Sequence, residues 1–158
     1  MSRAIELLIE RVAEEEELAR KLFAKATGDA AFAEQQLDAL NGFRESYTQR
    51  LTEEGAAGMD SSQLAHYNAF IDKLDGAAES QTAVLRTARD QAEKYREKWL
   101  SIKGRRKALE TLLEKQRERE RIAQMKKEQK VSDEAALNSF MRRLKSEASN
   151  DESDDGLL

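Results

Sequence analysis

From Leu64 to Gln116 the chain repeats one spacing without a slip. Leu64, Tyr67, Ile71, Leu74, Ala78, Gln81 and Leu85 begin it. Ala88, Ala92, Tyr95, Trp99, Ile102, Arg106, Leu109, Leu113 and Gln116 continue it, always in alternating steps of three and four. That spacing holds one narrow stripe on one side of an α-helix, the pattern of a coiled coil. Only Gln81, Arg106 and Gln116 are polar, and a polar residue in such a seam commonly fixes register. A helix with so narrow a stripe needs a second helix against it.

The first part of the chain supplies one. Ile5, Val12, Ala19, Ala26, Ala33, Leu40 and Tyr47 recur at every seventh position. Leu8 and Leu22 are read as the alternate seam position, interrupted by Glu15 and Asp29. Within "ATGDAA", Gly28 costs about 1 kcal/mol relative to alanine, which predicts a bend or loosening there. Between the two periodic runs lies "EEGAAGMDSS". Gly55 and Gly58 permit a reversal, and Asp60 with Gln63 forms a capping box that restarts a helix.

The expected fold is all-α: an antiparallel two-helix coiled-coil hairpin over residues 1–145, with unequal helices. Helix one is placed at about 2–52, the turn at about 53–60 and helix two at about 61–145. The tail "SEASNDESDDGLL", residues 146–158, has acidic but no basic residues and is expected to be disordered. With the turn centred near residue 56 or 57, Phe43 lies opposite Phe70 and residue 2 pairs near residue 111. The rest of helix two then overhangs. No proline interrupts either helix, and strand-favouring residues are sparse.

Composition excludes several functions. Without cysteine there is no disulfide or thiolate metal site, and His66 alone makes no zinc site. No catalytic constellation stands out, and "GAAG" lacks the lysine and hydroxyl of a phosphate-binding loop. The expectation is a non-enzymatic protein without cofactor or metal. No stretch approaches the roughly 20 apolar residues of a membrane span, so a cytoplasmic location is expected. From Lys103 to Lys130, eleven basic residues face five acidic ones. Interleaved glutamates and the lack of loop aromatics argue against nucleic acid. A solvated helix laced with i,i+4 pairs is the commoner explanation, and an acidic protein partner is a better functional reading than nucleic acid.

Two further stripes overlap the seam: Gln36, Leu40, Phe43 and Tyr47 on helix one, and Phe70, Leu74, Ala77 and Gln81 on helix two. The aromatics either cap the hairpin end or form a docking point, since one narrow seam cannot cover both stripes. Trp99, in the seam, is read as core.

Several blocks, in this order and at these distances, resemble the FliJ family, the small soluble component of the bacterial flagellar type III export apparatus. They are "AEQQLDALNGFRESYTQRL", the "AGMDSS" turn, "YNAFIDKL", Trp99 followed by a basic run to "LETLLEKQ", and "QKVSDEAAL". The resemblance spans about Ile5 to Phe140. It implies a hairpin similar to the central stalk of rotary ATPases, which promotes assembly of the hexameric export ATPase and links it to the export gate. It also implies binding of flagellar substrate chaperones. Phe70, Leu74, Ala77 and Gln81 fall on the family's surface for the cytoplasmic linker region of the gate membrane protein. Gln36, Leu40, Phe43 and Tyr47 fall on its exposed partner-binding positions in helix one. Phe43 stands where the family pattern has tyrosine, and Gln81 where relatives can have histidine. The overhang, with Arg117, Arg119, Arg121, Lys126 and Lys127, is the candidate ATPase-facing part. The implied location is cytoplasmic, peripheral to the inner face of the cell membrane at the flagellar base. The stalk of a virulence-type (injectisome) secretion system and a generic scaffold that dimerises through the overhang are the alternatives.

Overall fold

The computed structural model describes residues 1–155 as two helices, α1 (Ser2–Ala57) and α2 (Ser61–Asp155), packed as an all-α hairpin. Two compact units divide them: Ile9–Lys107, and Met1–Leu8 together with the chain from Ala108 onward.

The turn is tighter than the expected eight residues. α1 runs through Gly55 to Ala57. Gly58 then reverses the chain at φ 100°, a conformation open to glycine, and its N–H donates to the Gly55 carbonyl at 3.3 Å. Asp60 starts α2 as foreseen. Its carboxylate accepts from the Gln63 N–H at 2.8 Å, and the Gln63 side chain accepts from the Asp60 N–H at 3.4 Å. Moving the turn toward Gly58 also changes the register. Tyr47, not Phe43, faces Phe70, a slip of about one helical turn.

Within Ile9–Lys107 the core is a seam of small residues against large ones. Val12, Ala19, Ala26 and Ala33 are buried on α1, and Leu74 and Leu85 on α2. Alanine lets the helices approach closely, and the bulk comes from Phe23 and Trp99, whose rings stack at 5.8 Å and 13°. Trp99 therefore packs in the seam, with the Lys103 ammonium 5.3 Å from its ring centroid. The alternate seam position on α1 lies one residue later than expected. Ile9, Glu16, Phe23, Ala30, Leu37 and Leu51 are half-buried, whereas of the expected series only Leu22 is half-buried and Leu8, Glu15 and Asp29 are exposed. From Val12, steps of four and three reach Glu16 and Ala19, so Glu15 and Asp29 never enter the seam. Leu64, the first seam residue expected on α2, is 44% exposed beside the turn. α1 passes through Gly28 as unbroken helix.

Two polar seam positions are satisfied across the hairpin. Gln81 donates through Nε2 to the Ala33 carbonyl at 3.0 Å. Arg106 pairs with Glu16 through Nε and through Nη2, the latter at 3.3 Å. The Arg106 hydrogen bond holds the Glu16 carboxyl below its ordinary value of 4.5, against the opposing effect of desolvation. A carboxyl lowered on folding stabilises the fold fully above the unfolded value and loses that contribution as pH falls through the folded one. Thermal unfolding should thus show a midpoint that declines as pH drops below about 4.5. In Glu16→Gln the decline should be shallower, and an unchanged profile would show that the pair does not contribute. Glu6, lowered chiefly by its hydrogen bond from Arg117, supplies part of the remaining slope.

In the unit of Met1–Leu8 and the chain from Ala108, Leu113 is buried and Ile5 and Leu109 are half-buried. Arg117 Nη2 donates to Glu6 at 2.8 Å, and the Ser2 hydroxyl lies 2.9 and 3.0 Å from the Glu120 carboxylate oxygens. Residue 2 thus meets residue 120, not the region near 111. Past Glu120, α2 continues with every side chain through Glu152 exposed. It also continues into the acidic tail that was expected to be disordered, as helix to Asp155. No glycine or proline lies between Arg105 and Asp155 to stop it. Gly156–Leu158 lie outside the described residues.

Candidate functional site

The two stripes read from the sequence converge on one surface. Gln81 Nε2 lies 3.3 Å from Gln36 Oε1, and the Tyr47 and Phe70 ring centroids are 4.4 Å apart at 37°. The stripes therefore meet near both their ends. Antiparallel helices produce this because both stripes lean to the same side of the seam.

Exposure sorts the eight residues. Phe43 is 59% and Phe70 40% exposed, and Gln36 and Ala77 are exposed as well. Leu40, Tyr47 and Gln81 are half-buried. Leu74, at 8%, belongs to the core, so it serves as floor to the patch and not as an exposed contact. Phe43 and Phe70, two large aromatic rings open to solvent, are the kind of side chain that anchors protein interfaces.

Neighbouring residues stiffen the patch. Tyr47 is also 6.1 Å from the Tyr67 ring, and the Arg50 guanidinium sits 5.6 Å from the Tyr47 centroid. The Tyr67 hydroxyl donates to Glu54 Oε2 at 2.6 Å, a bond that raises the tyrosine pKa, with desolvation adding to it. On the other side Arg44 pairs with Asp75 across the hairpin. Sequence reasoning did not single out Glu54, Arg44 or Asp75. Charged side chains on exposed helix faces carry no periodic signal, and their pairing depends on the register, which was read about one turn off beside the hairpin end and nine residues off at Ser2. His66 is exposed at the start of α2.

Of the five basic residues expected on the overhang, Arg117 and Arg119 lie in the paired stretch before Glu120, and only Arg121, Lys126 and Lys127 lie beyond it. Arg117 is held by Glu6, and Arg121 by Glu118 through Nη2 at 2.6 Å. Arg119, Lys126 and Lys127 are exposed without an ion pair among the described residues. These three are available to an acidic partner. Among the described residues no His, Cys, Asp and Glu cluster could hold a metal ion, and no helix is long and apolar enough to cross a membrane.

The family model described as "Flagellar FliJ protein" matches residues 1–145. The chain is 27% identical over 140 residues to the flagellar FliJ protein of Escherichia coli (strain K12), covering 89% of this chain and 95% of that relative. It is 26% identical over 140 residues to the flagellar FliJ protein of Salmonella typhi, with the same coverage. No solved structure matches it.

Proposed function

The chain belongs to the FliJ family of flagellar proteins, and from that premise we propose that it is a non-enzymatic stalk of the flagellar protein-export apparatus. In this reading it promotes assembly of the hexameric export ATPase, links that ring to the export gate and escorts substrate chaperones. It works in the cytoplasm, held at the inner face of the cell membrane by its partners.

The observation that carries the reading is the extension of α2 beyond Glu120, whose side chains find no second helix. Long exposed basic side chains there, Lys126 and Lys127, with Arg119 just before it, suit an acidic protein surface better than solvent alone. The aromatic patch of Phe43 and Phe70 supplies a separate surface of different chemistry, suited to the linker region of the gate. A stalk needs two such unlike surfaces, so that each partner takes its own. A protein that holds both surfaces on one chain couples the partners without any chemistry of its own.

Hydrolysis of ATP by the purified flagellar export ATPase tests the proposal, at a concentration where the enzyme is mostly monomeric. Adding the chain in less than equimolar amount should raise the rate clearly, because each stalk would serve a whole ring. Charge reversal of Arg119, Lys126 and Lys127 should abolish the rise. An unchanged rate with the folded wild-type chain would overturn the stalk reading.

A further inference from the structure

The exposed end of α2 carries a second seam. Leu137, Phe140, Met141 and Leu144, each 47–59% exposed, fall at i, i+3, i+4 and i+7, on one face of the helix. Extending from Leu137 toward the N-terminus by steps of four and three gives Asp133, Lys130 and Lys126. Extending from Phe140 toward the C-terminus gives Leu144, Glu147 and Asp151. The seam is therefore basic at one end, apolar in the middle and acidic at the other.

We propose that this segment, Lys126–Asp151, pairs with the same segment of a second copy as a short antiparallel coiled coil. A two-fold axis between Asn138 and Ser139 sets Leu137 opposite Phe140 of the other copy, twice by symmetry, in the central layers. The next layers place Asp133 opposite Leu144. Outside them Lys130 meets Glu147, and Lys126 meets Asp151. Each layer joins the two alternating seam positions, as antiparallel packing requires, and the interface is self-complementary, as a two-fold demands.

Charge selects this arrangement among the alternatives. A parallel in-register pair would stack lysine on lysine and acid on acid at both ends, and each like-charge contact disfavours it. In the antiparallel pair all four outer layers become opposite-charge contacts, with lysine stems covering the ends of the apolar stripe. Lys126, Lys130, Glu147 and Asp151 have no intramolecular ion pair among the described residues to compete. The apolar centre is short and Asp133 interrupts it, so the dimer is reversible and forms in concentrated solution. The inference stands apart from the export reading: a free chain can pair in this way whatever other partner the segment serves.

Sedimentation velocity on the full chain, over a rising concentration series, tests it. The mass should climb from 17.9 kDa toward twice that value, less steeply when salt is added. Phe140→Asp should hold the chain monomeric throughout, with unchanged helicity by circular dichroism. Lys126→Glu with Lys130→Glu should weaken self-association at least tenfold, as should Glu147→Lys with Asp151→Lys. Mixing these two double variants should restore wild-type association, because each supplies the charges the other lacks. A chain that stays monomeric at every concentration would overturn the proposal and leave the stripe to an unlike partner. Association that ignores the charge swaps would overturn it too, as unregistered apolar clustering.

Discussion

Trp99→Ala is expected to lower the unfolding free energy of the hairpin by about 3 kcal/mol, the low end of the range for truncating a large aromatic core residue. The seam explains why one side chain matters so much. Its α1 side is largely alanine, and most of its bulk at this level is the stacked pair of Phe23 and Trp99. Neither small neighbour can move in to fill the space, because the close helix approach already sets the backbone separation. Trp99→Phe gives a contrasting case. The Trp99 Nε1 is buried without a hydrogen-bond partner among the described residues. Phenylalanine loses some volume and removes that unpartnered donor, so the two effects oppose and the change should stay within about 1 kcal/mol. Urea unfolding followed by circular dichroism separates the variants. Equal losses in both would mean that the full bulk of the indole, which phenylalanine cannot supply, decides the contribution, and not ring stacking as such.

How much of this was legible depended on periodicity. The α2 seam is written in nearly unbroken apolar residues, so its helix and buried face follow from spacing alone. α1 was harder, because its strongest seventh-residue series is mostly alanine, which marks a seam only weakly. Its partner series, Ile9, Phe23, Leu37 and Leu51, does carry large apolar residues at the correct step. It was masked by Leu8 and Leu22, one residue away, and by the charge of Glu16. Only the pairing of Glu16 with Arg106 explains how an acid can sit in that series. Each helix states its own stripe, but the offset between helices is set by the length of the turn, and "EEGAAG" can end α1 at several points. Helix propensity carried α1 to Ala57, and the whole register moved with it. The residues of the candidate patch could still be picked out in advance, since both stripes are periodic. Its internal contacts could not.

Phe43→Ala combined with Phe70→Ala is expected to weaken binding of the export-gate linker region by about a hundredfold, roughly 3 kcal/mol, on the hot-spot scale of aromatic anchors. These two rings give up little intramolecular packing, at 59% and 40% exposure, so circular dichroism and the unfolding midpoint should change little. Leu74→Ala must behave differently. Leu74 is 8% exposed, and its truncation should destabilise the hairpin by about 2–5 kcal/mol while lowering binding only through the lost fold. Titration calorimetry with each variant, beside its melting curve, distinguishes a contact from a support. If the aromatic pair leaves affinity intact, the patch is a cap on the hairpin end and the gate docks elsewhere. If Leu74→Ala loses affinity with no loss of stability, the floor must open when the partner binds, and the hairpin near the turn is not the rigid platform its packing implies.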